Sequence, residues 1–319
     1  MIGVEEVTKA RAWMERRAPF LKLIGHTPLF AVRLFEEECP SCTIHAKAEW
    51  MNPGGSVKDR PVMFMVAHGL ERGDFQGGRS ILDSSSGNAG IAYAMMGAAL
   101  DIPVTLVVPG NASLERKRRI RSHGAKLIET DPVLGYDEAL RRAHLLAQEE
   151  TQRFVLVDQY ANEWNWRAHY ETTAVEILEQ TGGAISHFVS GVGTGGTLTG
   201  VGRRLKERDP KIRVVMVVPE SFPGIEGLKP LEGENDIVPE IFDPSLVDER
   251  VRVSVEEAYE YCHRLARGGL FVGQSSGANL AVAHQIARRE KGARIVTLFP
   301  DLGERYLSTG LWEPPPSSP

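Results

Sequence analysis

A lysine with a nucleophilic amine is offered by the nonapeptide Asn52-Pro53-Gly54-Gly55-Ser56-Val57-Lys58-Asp59-Arg60. Pro53-Gly54-Gly55 breaks regular structure. Ser56 is placed to cap a helix that carries Lys58 and runs on through Val62, Met63, Met65 and Val66. A cation at a helix N-terminus opposes the helix dipole. That position lowers the lysine pKa and favours the free amine. Taken alone, the same pattern also describes a solvated surface lysine, because short motifs recur by chance.

Three further loops change the balance. Ser84-Ser85-Ser86-Gly87-Asn88-Ala89-Gly90 joins an apolar run, Ile81-Leu82, to an apolar helix. Its hydroxyls and free amides at a helix N-terminus suit a carboxylate or phosphate. Simple capping would explain one serine but not all three. Gly191-Val192-Gly193-Thr194-Gly195-Gly196-Thr197 follows Phe188-Val189 and opens a helix at Leu198. It lacks the lysine of a nucleotide P-loop, and its hydroxyls favour a terminal phosphate. It also matches a dinucleotide fingerprint at Gly191, Gly193 and Gly196, with Glu220 ending the next strand. An NAD-dependent dehydrogenase is therefore the rival from another class. Gly273-Gln274-Ser275-Ser276-Gly277 again precedes a helix, and alone it reads as a cap.

The elements that position these loops alternate. Strands are expected over 80–83, 104–108, 126–129, 154–158, 187–190, 213–218 and 294–298. Helices are expected over 89–100, 113–123, 137–150, 166–180, 198–207, 255–268 and 278–291. A further strand is expected over 43–47. Such alternation builds parallel sheets with right-handed crossovers, and ligands then bind beyond the strands' carboxyl ends. The break at 157–162 separates two α/β domains, a small mobile one over 50–157 and a large one from 1–49 and 158–319 with the active site between them.

Composition excludes several classes. The chain has 319 residues, 42% hydrophobic and 25% charged, with net charge −5. That balance gives no support to nucleic-acid binding. The basic run Arg116-Lys117-Arg118-Arg119 with Arg121 reads as a solvated helix face. No apolar stretch could span a membrane, and the charged N-terminus is no signal peptide, so a cytoplasmic location is expected. Three cysteines make no disulfide framework, Cys39-Pro40-Ser41-Cys42 reads as a chance pair ahead of a redox switch, and no metal site is expected. The tail over 314–319 reads as disordered.

A lysine, an anion loop, a phosphate cradle and a serine loop together fit pyridoxal 5'-phosphate and an amino-acid substrate. The chain resembles the cysteine synthase family of fold type II pyridoxal-phosphate enzymes, relatives of cystathionine β-synthase and tryptophan synthase β. The resemblance rests on Ile24-Gly25-His26-Thr27-Pro28-Leu29, Asn52 to Arg60, Ser85 to Gly90, Gly193 to Thr197, Gly273 to Gly277 and Gly303 to Thr309, in order over nearly the whole chain. It implies that Lys58 holds the cofactor as a Schiff base and later moves the substrate's α-proton. It implies that Asn88 bonds the phenolic oxygen, that Gly193, Thr194, Gly195, Gly196 and Thr197 bind the phosphate, and that Ser275 faces the pyridine nitrogen. A serine there leaves a weak electron sink, which suits β-elimination. Ser85, Ser86, Ala89 and Gln159 would meet the substrate carboxylate.

The implied reaction makes L-cysteine from O-acetyl-L-serine and sulfide through an aminoacrylate. O-phosphoserine as substrate or homocysteine as nucleophile are the alternatives. Phosphate as leaving group would call for an added cation, and 221–227 offers Glu226 and no arginine. Ala89 and His26 depart from the family's usual threonine and asparagine. A homodimer, with serine acetyltransferase as a partner, is also implied.

Overall fold

The computed structural model describes residues 3–313 apart from Ser86, Pro223, Glu234 and Asn235. The proline-rich tail expected to be disordered lies outside the described residues. Helix α1 (Val4–Arg17) leads to β1 (Leu29–Ala31), β2 (Thr43–Ala48) and α2 (Asp59–Glu71). A first alternating run follows: β3 (Ser80–Ser84), α3 (Asn88–Leu100), β4 (Val104–Pro109), α4 (Leu114–Ser122), β5 (Lys126–Thr130), α5 (Gly135–Glu149) and β6 (Phe154–Leu156). Helices α6 (Trp164–Ala168) and α7 (Ala174–Thr181) are joined by a wide π-helical turn, His169–Thr173. A second run holds β7 (His187–Gly191), α8 (Gly196–Arg208), β8 (Arg213–Pro219), β9 (Glu249–Val253), α9 (Val255–Arg267), α10 (Gln274–Arg289) and β10 (Arg294–Phe299).

Two sheets result. One has four strands in the order β5-β4-β3-β6, all parallel. The other has six, β1-β2-β10-β7-β8-β9, parallel except for β1 against β2. Strand β3 is fully buried, which matches its continuous apolar reading. Helix α3 is apolar on nearly every face for the same reason. The sheet-forming pattern was legible because strands and helices alternate. Three elements were not. Helix α1 hides its apolar face, Val7, Ala10 and Met14, among charges. Strand β9 alternates charged and apolar residues at the sheet edge, and β1 is only three residues long. The helix expected over 166–180 is interrupted by the wide turn. The apolar face of α1 joins the core shared by α2 and α3.

The lysine segment is anchored by a buried ionic cluster. Arg60, 1% exposed, donates Nε to Glu49 Oε2 at 2.8 Å and Nη2 to Glu49 Oε1 at 2.9 Å. It also donates Nη1 and Nη2 to the two Glu176 oxygens at 2.6 and 2.8 Å. Lys47 reaches Glu176 at 2.6 Å, so two cations meet two anions. Burial works against both carboxylates, yet Arg60 and Lys47 hold Glu49 below its ordinary pKa and Glu176 at about 2. Asn52 joins the cluster through Glu49 at 3.0 Å and accepts from the Gly25 amide at 2.8 Å. His26 follows with a left-handed φ of 49° and donates its amide to Glu176 at 2.9 Å. Asparagine suits that conformation, so His26 stands at a structural turn.

Cys39 and Cys42 are both buried, burial raises the Cys39 thiol pKa, and Cys42 donates to the Glu290 carbonyl at 2.9 Å. That burial disfavours a thiolate at Cys39. No described helix is long and apolar enough to cross a membrane. Replacing Arg60 by Met leaves two buried carboxylates facing one lysine. The expected loss is about 3–5 kcal/mol of unfolding free energy, read from the denaturant midpoint.

Candidate active site

The loops after β3 and β7 and the segment after β10 open on one cleft between the two sheets. About 760 Å³ free of protein atoms lies within it, part of that open to solvent. Lys58, Asn88, Gly193, Thr194, Gly195, Thr197 and Ser275 all line it. Gly196 lies just behind, as the first residue of α8. Ser85, Ala89 and Gln159 are buried beside the cleft rather than lining it, and Ser86 lies outside the described residues.

Lys58 occupies the residue before α2, not its first turn. Ser56 does not cap the helix; its hydroxyl accepts the Lys58 amide at 3.3 Å. The Val57 amide donates to the Pro300 carbonyl at 3.0 Å and fixes the segment against the end of β10. Lys58 keeps partial exposure on the cleft, and its amine has no hydrogen-bond partner among the described residues. Burial, more than the helix dipole, lowers its pKa, and Asp301 only partly opposes that. The result is an amine poised to lose its proton.

The glycine loop turns sharply into α8. Gly195 takes a φ of 85°, and a side chain there would strike Phe242. A Cβ on Gly193 would lie 2.5 Å from the Gly227 carbonyl oxygen. The amides of Gly195, Gly196 and Thr197 make no hydrogen bond to the described residues. Unpaired amides at the N-terminus of a helix of this length are an anion site. Asn165 braces the loop, donating to Thr194 Oγ1 at 3.1 Å and to the Gln159 carbonyl at 2.6 Å. His169 Nε2 lies 3.2 Å from Thr197 Oγ1, and its Nδ1 lies 2.9 Å from Thr173 Oγ1. Burial, aided by Arg60 and Lys58, pushes its pKa well down and keeps it neutral.

The remaining loops are partly spoken for. Ser85 Oγ accepts the Gly90 amide at 3.0 Å, and Gln159 Nε2 donates to the Ser84 carbonyl at 3.0 Å. The Ser275 hydroxyl, at the start of α10, has no partner among the described residues. These features fit pyridoxal phosphate: a free amine, unpaired amides for phosphate and an uncommitted hydroxyl share one cleft.

One cleft residue escaped the sequence reading. Arg116 belongs to the run read as a solvated face, yet its side chain is 12% exposed and lines the cleft. It pairs with Glu226, 43% exposed, at 2.5 Å and stacks over Tyr306 at 5.1 Å. Arg119 is also turned inward and donates to the Gly54 carbonyl at 3.0 Å. Lys117 is buried against Glu129 at 2.7 Å. Of α4, a helix over 113–123 was visible from sequence; the structure shows its Ser113 cap and acidic first turn.

The sequence profile described as "Pyridoxal-phosphate dependent enzyme" matches residues 20–301. The chain belongs to that family. Its two mostly parallel sheets are the fold type II architecture of those enzymes. Among relatives, a "Cysteine synthase" of Aquifex aeolicus is 48% identical over 309 residues, 94% of each chain. Among solved structures, O-ureido-L-serine synthase is 36% identical with a TM-score of 0.86, covering 94% of this chain and 96% of that one. A cysteine synthase of Entamoeba histolytica has the same TM-score at 32% identity, covering 94% and 92%.

As a pyridoxal-phosphate family member, the chain is expected to lose affinity for the cofactor when Gly193 becomes Ala. The added methyl meets backbone, which cannot swing aside. The penalty is about 1–3 kcal/mol, so titration of the apoprotein with pyridoxal phosphate should show roughly tenfold or weaker binding.

Proposed function

We propose that this chain makes L-cysteine from O-acetyl-L-serine and sulfide by β-replacement, with pyridoxal phosphate held at Lys58. The carrying observation is the Lys58 amine, which bonds to none of the described residues, in one cleft with the glycine loop and Ser275. When bound, the cofactor supplies an electron sink for the substrate's α-carbon. Lys58 holds it, then takes the α-proton, and burial, by lowering the amine's pKa, favours the unprotonated form that can accept it. Gly193 to Thr197 bind the phosphate through free amides. Ser275 meets the pyridine nitrogen with a neutral hydroxyl and leaves the sink weak, which favours loss of a β-substituent. Asn88 faces the phenolic oxygen. Ser85, Ser86 and Gln159 receive the substrate carboxylate, with Ala89 adding no hydroxyl. Ser85 and Gln159 already bond to backbone around the start of α3, so a carboxylate would exchange those bonds and draw residues 50–157 toward the large body, with α1 moving alongside. The dehydrogenase rival finds no support in family or relatives.

Arg116 bears on the leaving group. It is the cation that a phosphate would need, but Glu226 neutralises it at 2.5 Å. A pocket with that pair intact favours a neutral acetyl ester over O-phosphoserine. We place the enzyme in the cytoplasm as a homodimer, with serine acetyltransferase as a partner.

Purified protein is expected to sediment as a dimer and show the visible absorption of lysine-bound pyridoxal phosphate, with turnover of O-acetylserine and sulfide. Lys58→Ala should lose both colour and turnover, and a colourless wild type after cofactor addition would sink the reading. Glu226→Gln frees Arg116. It should raise kcat/KM for O-phosphoserine relative to O-acetylserine by about tenfold, the worth of one hydrogen bond to a charged group. An unchanged ratio would remove the pair from substrate choice.

A further inference from the structure

We infer that Asp301, with Arg305, is a positioning residue that locks the Asn88 side-chain amide so that a donor faces the cofactor. The inference rests on the pyridoxal-phosphate reading and adds to it two residues outside the expected site. Asn88 is the first residue of α3 and lines the cleft. Its Nδ2 donates to Asp301 Oδ2 at 2.7 Å. Its Oδ1 accepts from Arg305 Nη1. Asp301 is 1% exposed and Arg305 8% exposed, so neither bond competes freely with water.

These two partners decide which end of the amide is nitrogen. A carboxylate only accepts, and a guanidinium only donates. Turning the amide over would set oxygen against the Asp301 carboxylate and NH₂ against the Arg305 guanidinium. Both contacts would then be repulsive. The amide is therefore held with Nδ2 toward Asp301, and one N–H of that nitrogen stays uncommitted at the cleft wall. A donor is what a phenolic oxygen needs in order to hold its deprotonated, visible-absorbing form.

The two partners are themselves held. Tyr306 donates its hydroxyl to the same Asp301 Oδ2 at 2.8 Å. Asp301 pairs backbone to backbone with Ser56, two residues before Lys58. Arg305 also donates Nη2 to the Gly54 carbonyl at 2.5 Å. Thus the group that faces the phenolic oxygen and the segment that carries the amine share one support. Asparagine at 301 could donate as well as accept, so it would let the Asn88 amide turn.

The test compares wild type, Asp301→Asn, Asn88→Ala and the double variant, each titrated as apoprotein with pyridoxal phosphate. The readout is the ratio of the visible to the near-ultraviolet band of the bound cofactor, together with its Kd. Asp301→Asn is expected to lower the ratio several-fold and weaken binding about tenfold, as for loss of one hydrogen bond to a charged group. In the Asn88→Ala background the same substitution should change neither, because residues acting through one another are non-additive. Arg305→Met should lower the ratio likewise, and it carries the test alone if Asp301→Asn does not fold. A wild-type visible band with an unchanged ratio in these variants, or an equal fall in both backgrounds, would overturn the inference. No visible band in the wild type would instead overturn the cofactor reading beneath it.

Discussion

Everything at the catalytic cleft depends on the charge cluster of Arg60, Glu49, Glu176 and Lys47. Buried ions are costly unless each finds a partner of good geometry. Here the guanidinium makes forked bonds to two carboxylates, and a lysine completes the balance. The partners come from β2, the segment after it, α2 and α7. They can be satisfied together only if those elements meet at one place. The turn that carries Lys58 is caught between this cluster and the end of β10, so the amine is positioned by constraints on both sides.

The cleft itself follows from two mostly parallel sheets whose loops at the carboxyl ends face each other. Helix α4 spans the gap on one side. Glu115 accepts from Ser308 at 2.5 Å, Arg116 meets Glu226, and Arg119 reaches Gly54. Three contacts from one helix clasp the C-terminal segment, the loop after β8 and the lysine turn. Arg116 and Glu226 both line the cleft, so this contact of α4 is also part of the cleft wall.

The sequence made the chemistry legible where chemistry restricts residue type. A phosphate cradle needs glycines and hydroxyls before a helix, and a Schiff base needs a lysine, so Lys58 and Gly193 to Thr197 stood out, whereas the Ser275 loop alone read as a cap. It made the folding pattern legible wherever apolar runs alternate. It failed where tertiary packing reverses a local reading. Arg116 is charged, lies in a charged helix, and is nearly buried, because Glu226 and Tyr306 arrive from more than a hundred residues away. Ser56 looked like a cap, yet its hydroxyl serves the residue before the helix. Asp301 had no motif, since its role depends on which side chain of another element lies opposite.

The wide turn between α6 and α7 carries a consequence of its own. In an unbroken α-helix, residues about three turns apart point nearly the same way. Asn165 and Glu176 are spaced so, yet they serve different neighbours: one braces the glycine loop and the other closes the ionic cluster. The looser winding over His169–Thr173 offsets the two directions. A single stretch of chain therefore addresses two sites at once. The π-helical turn thus couples the brace of the glycine loop to the ionic cluster that anchors the lysine segment.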